Sequence, residues 1–76
     1  MITPLLSSRW DYELYDINGQ KVLTVIFFAQ IDYPRSFYLE EREYLFSPDE
    51  LSELAEKIRM HYEIYKYREI IPTVFI

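Results

Sequence analysis

The spacing of polar and apolar positions changes period twice along the chain. From Trp10 to Phe27 it alternates about an Asn18-Gly19 pair. Asn-Gly is the preferred centre of a two-residue type I′ hairpin, because both residues tolerate positive φ. With Ile17 and Gln20 flanking the turn, counting outward pairs Asp16 with Lys21, Leu14 with Leu23, Tyr12 with Val25 and Trp10 with Phe27. These pairs share one face, and all are apolar except the salt bridge that Asp16 and Lys21 would form. The other face sets Asp11, Glu13 and Tyr15 opposite Ile26, Thr24 and Val22, a mixed set. One buried and one partly wet face is what an antiparallel sheet packed on a single helix layer requires.

Beyond the hairpin, Asp32-Tyr33-Pro34 predicts a turn or a strand edge. Residues 36–46 read as extended, with Phe37 and Leu39 on one parity and Tyr44 and Phe46 on the other. The phase therefore slips near Glu40-Glu41-Arg42, through either a bulge or a break into two short strands.

At Ser47 the period becomes helical. Ser47-Pro48-Asp49-Glu50 supplies an N-cap serine, proline at the first helical position and glutamate to close a capping box. At 100° per residue, Leu51, Leu54, Ala55, Ile58, Tyr62 and Tyr65 fall within about 100° of arc, a stripe that faces the sheet. Acids come early and bases late, as the helix dipole favours. One long helix over 47–68 is expected, stopped before Pro72. The tail, 69–76, is strongly apolar for a terminus. It is expected to add to the sheet edge, to cover the helix or to cross to another subunit. The fold class predicted is α+β, a two-layer domain over 1–76. An antiparallel sheet of three or four strands (10–46, after an N-terminal segment 1–9) packs on one long helix, in the order β-β-β-α with a C-terminal extended segment.

Composition adds two expectations. Half of the 76 residues are hydrophobic, with 8 Tyr, 5 Phe and 1 Trp and no cysteine. So short a chain buries a limited share of its surface, so this surplus predicts self-association, most simply a homodimer. The net charge is −5, spread along the chain with no Lys/Arg run. Direct nucleic-acid binding is not expected, because it needs a basic footprint. A basic protein partner is expected instead. The opening residues lack a basic and then long apolar leader, and Val25–Ala29 is far shorter than the roughly 20 residues a membrane span needs. With no disulfide possible, a cytoplasmic location is expected and a membrane partner is not.

Candidate chemistry is sparse. His61 is the single histidine, and its same-face helical neighbours Lys57, Ile58, Ile64 and Tyr65 are not usual metal ligands. No nucleophile-elbow sequence accompanies it, and the one glycine belongs to the hairpin rather than to a phosphate loop. No catalytic residue, metal or cofactor is predicted. Two surfaces are. Met60, Ile64 and Tyr67 project about 180° from the core stripe on an ideal helix, and Met and Tyr favour contact cores. Glu40, Glu41 and Glu43, beside Tyr44, form an acidic run suited to a basic partner. The expected function is a small acidic non-catalytic protein-binding module, of inhibitor or immunity type. The alternatives are a homo-oligomeric assembly subunit and a phage-type DNA mimic, although Arg42 and the aromatics interrupt the carboxylate array a mimic would present.

Overall fold

The computed structural model describes residues 3–75, so Met1, Ile2 and Ile76 of the expected terminal segments lie outside it. Its class is α+β, with more strands and less helix than expected. Five strands form one antiparallel sheet: β1 (Leu6–Ser8), β2 (Tyr12–Ile17), β3 (Gln20–Phe27), β4 (Tyr33–Tyr38) and β5 (Glu69–Ile70), adjacent in that order. The hairpin register is the expected one, with Asp16 opposite Lys21, Leu14 opposite Leu23 and Tyr12 opposite Val25. Asn18 and Gly19 both take positive φ, 54° and 88°.

Two details of that hairpin differ. Asp16 turns its carboxylate onto the Gly19 amide at 2.8 Å, while the Lys21 ammonium sits 5.3 Å above the Tyr44 ring, so no salt bridge forms between them. A fixed amide in the turn outcompetes a flexible lysine. Trp10 does not extend the ladder to Phe27. The segment expected as a mere N-terminal arm instead forms β1, which pairs Leu6 with Leu14 and Ser8 with Tyr12. The chain must therefore reverse at Arg9-Trp10-Asp11, and Trp10 enters the left-handed region at φ 64° to do so.

The phase slip at Glu40-Glu41-Arg42 is neither a bulge nor a second strand. It is a 3₁₀ turn, Glu41–Glu43, which rotates Tyr44 and Phe46 so that both pack against the core. Helix α1 (Pro48–Met60) starts as its sequence requires, with reciprocal bonds between Ser47 and Glu50. The single helix over 47–68 does not form: His61 leaves helical geometry at φ −129°, ψ 44°. A short α2 (Tyr62–Tyr65) and a 3₁₀ turn (Lys66–Arg68) follow. His and Tyr are weak helix formers, and the break sets the Tyr62 ring edge-on to Phe27 at 5.8 Å and to Phe37 at 6.2 Å.

The expected stripe holds. Leu51, Leu54, Ala55 and Ile58 are buried against Tyr12, Leu14, Leu23, Val25, Phe27 and Phe37, with Tyr62 and Tyr65 partly buried beside them. The sheet's other face is partly wet at its margins, with Glu13 half-buried and Tyr38 46% exposed, but not at its centre. Tyr15, Val22, Thr24, Ile26 and Ser36 are all buried there. After β5 the tail crosses this face, where Val74 bonds to Thr24 and Ser36. The tail thus adds to the sheet edge, as one expectation had it, and then covers the sheet rather than the helix.

Removing the α1 cap with Ser47→Ala should lower stability by about 1 kcal/mol in urea unfolding. Phe37→Ala, at the centre of the inner face, should cost about 3–5 kcal/mol by the same measurement.

Candidate functional site

Three arginines are drawn inward, and they determine which charges remain for a partner. From α1, Arg59 bonds the Asp11 carboxylate at 2.7 Å and the carbonyls of Asp11 and Ile26 at 2.6 Å each. Ser52 donates to the same carboxylate. Arg68 reaches the Glu43 carboxylate at 2.7 Å and the Tyr38 carbonyl at 3.1 Å. Arg35, on β4, meets both Glu69 and the Tyr62 hydroxyl at 2.9 Å, with its guanidinium 4.7 Å from the Tyr62 ring centre. The hydrogen bond that Tyr62 donates to Glu69 holds its phenol above the ordinary tyrosine pKa.

With three of the eight bases and three of the thirteen acids so engaged, ten acids remain against five bases. Four of these ten acids lie on α1. Asp49, Glu50, Glu53 and Glu56 are exposed, and Asp49 and Glu53 have no ion-pair partner among the described residues. Between α1 and the Glu41–Glu43 turn lies an open cleft of about 250 Å³, floored by Phe46, Leu54 and Tyr65 and rimmed by two acids, Glu50 and Glu53, and two bases, Arg42 and Lys57.

The structure divides the residues singled out for docking. Glu41 is exposed and has no ion-pair partner among the described residues, and Glu40 is half-exposed at the start of its turn. Glu43 is only 1% exposed. It accepts from Arg68 and from the Glu40 amide, at 2.7 and 2.8 Å. Its place is structural, because the 3₁₀ turn rotates it inward, and the acidic run is not one surface. Tyr44 is half-buried on the core beneath Lys21. Met60, Ile64 and Tyr67 are all exposed, at 68%, 65% and 72%. The break at His61 separates Met60 from the other two, so the straight-helix projection that aligned them does not apply.

Other exposed apolar groups carried no periodic signal. Leu45 is 92% exposed just before the α1 cap, and Trp10 stands out at the β1–β2 turn with Phe75 in the same cleft. Burial depends on tertiary partners, and only the left-handed backbone at Trp10 sets these residues apart. His61 is exposed at the helix break. Among the described residues, no three His, Asp or Glu side chains cluster as metal ligands would, and no helix is long and apolar enough to cross a membrane.

Glu43→Ala strands the Arg68 guanidinium and should cost about 3–5 kcal/mol in chemical denaturation. Glu41→Ala should stay within about 0.5 kcal/mol of the parent. Compared with known proteins, the chain matches no family model, no curated protein and no solved structure.

Proposed function

We propose that this protein is a small acidic binding module that docks on a basic protein partner through the outer side of α1 and acts as an inhibitor or immunity-type protein, without chemistry of its own. The observation that carries this reading is the segregation of charge. Arg35, Arg59 and Arg68 are consumed by internal pairs, while Asp49 and Glu53 on α1 have no ion-pair partner among the described residues, and Glu53 rims a cleft with an apolar floor. A basic side chain has a long apolar stem and a charged head, and a cleft floored by Phe46, Leu54 and Tyr65 under Glu50 and Glu53 offers a surface to each. Acidic surfaces of this kind steer encounter and exclude acidic competitors more than they add affinity.

A second reading, self-association, is supported by the exposure of Met60, Ile64 and Tyr67. Large apolar groups left in water on a small protein are the usual material of an interface. Met60 continues the outer side of α1, so the two readings meet there, whereas Ile64 and Tyr67 lie beyond the break at His61.

For the first, a partner captured from lysate and then purified should bind the double variant Asp49→Lys/Glu53→Lys about tenfold more weakly, as expected from reversing two contacts of about 1 kcal/mol or less each. Its affinity for the parent should also fall steeply with salt. Affinity indifferent to both changes would defeat the reading. For the second, light scattering should show a dimer that Ile64→Lys converts to monomer; an unchanged mass would remove that interface.

A further inference from the structure

The covered outer face of the sheet is built to receive a peptide backbone, and its present occupant is the chain's own tail. Thr24 and Ser36 lie opposite each other on β3 and β4, both fully buried, with the buried apolar Val22 and Ile26 on either side of Thr24. Buried hydroxyls in such a setting need partners. Val74 provides them with main-chain atoms alone. Its amide donates to Ser36 Oγ at 2.9 Å and its carbonyl accepts from Thr24 Oγ1, while the two hydroxyls are 2.7 Å apart. Each hydroxyl has a single proton to give. One assignment that satisfies every atom is a closed ring, in which the Val74 amide donates to Ser36, Ser36 to Thr24, and Thr24 to the Val74 carbonyl; Ser36 Oγ also lies 3.2 Å from that carbonyl, so the hydroxyls can serve Val74 either way round. Such a ring reads an extended residue by its amide and carbonyl and asks nothing of its side chain.

Side chains on either side supply the fit. Val74 borders an apolar recess of about 280 Å³ with Ile17, Val22, Tyr38 and Ile70. Phe75 enters a second cleft beside Trp10 and Ile26. The tail is joined to β5 through Ile71, Pro72 and Thr73, which are all exposed. The seat is thus held through two residues beyond a solvent-exposed connector, and a second copy presents the same two residues with the same chemistry.

We infer that the outer face is a segment-receiving site and that its partner in trans is the C-terminal tail of a second copy, giving a tail-exchanged dimer. Within one chain the short connector gives the tail an effective concentration on the order of millimolar, so closure in cis hides the exchange at low protein concentration. This inference shares no residue with the acidic docking face and does not depend on it.

Complementary variants expose it. Thr24→Val/Ser36→Ala keeps a sound tail and impairs the seat, whereas Val74→Pro keeps a sound seat and removes the amide donor. Both are made in an Ile64→Lys background and checked for folding by circular dichroism. Mixed at micromolar concentration, they should form a 1:1 complex of twice the monomer mass in light scattering, beyond anything either forms alone. If Val74→Pro does not fold, Val74→Asp retains the amide and sets a charge against the apolar recess instead. A mixture with no more dimer than its components overturns the exchange. As a second measurement, a synthetic peptide of residues 69–76 should bind the tail-impaired variant and lose that binding when the Thr24 and Ser36 changes are added. Equal binding by a peptide of unrelated apolar sequence overturns the assignment to a second copy.

Discussion

The structure turns on a central strand that must be kept from water on both sides. Every residue of β3 from Val22 to Phe27 is buried. An antiparallel sheet with one helix layer protects only one face of such a strand. The inner face meets α1 through the Leu51, Leu54, Ala55 and Ile58 stripe. The outer face has no second helix to cover it, and the tail laid across Thr24 and Ser36 takes that role. A few residues of extended chain thereby replace a whole layer, which is how so short a protein keeps a three-layer section at its middle.

Covering both faces has a consequence for charge. Elements that close over the sheet come from the last third of the chain, and each is held by an arginine. Arg59 joins α1 to the β1–β2 turn, Arg68 holds the second 3₁₀ turn against the first, and Arg35 binds β5 through Glu69. Planar guanidinium groups suit this duty, since each engages carbonyls, carboxylates or ring faces at once. Each is withdrawn together with one acid, so the excess of acids over bases outside these pairs is that of the whole chain. The acidity of the surface therefore follows from composition, and the clamps decide only which acids are left to show it.

Local chemistry was readable from the residues, and tertiary chemistry was not. The hairpin register followed from Asn18-Gly19 and strict alternation, and the α1 start from Ser47, Pro48 and Glu50, because these signals act within a few residues. Strand β1 was missed because Arg9-Trp10-Asp11 has no glycine, asparagine or proline, and the left-handed residue at the reversal is a tryptophan. The helix break at His61 was missed because a continuous 3.6-residue stripe ran through it. Tyr62 and Tyr65 do reach the core, but by way of a break whose benefit lies in Phe27 and Phe37, far off in sequence. Of the residues of the candidate site, Glu41, Met60, Ile64 and Tyr67 are exposed, while the 3₁₀ turn removed Glu43 from the surface. Thr24 was the one visible hint of the tail's seat: a polar residue inside the most apolar strand, with its partner Ser36 twelve positions away.

The three arginine clamps and the Val74 ring also impose an order in time. All four join an early segment to residues between 59 and 74: Asp11 to Arg59, Arg35 to Glu69, Glu43 to Arg68, and Thr24 and Ser36 to Val74. During synthesis from the N-terminus, the hairpin can form as soon as it emerges, but neither of its faces can be sealed. The nascent sheet therefore keeps its apolar surfaces open until residues 59 to 74 have been made. In that interval a protein organised in this way is most exposed to chaperones and to misassociation with its neighbours.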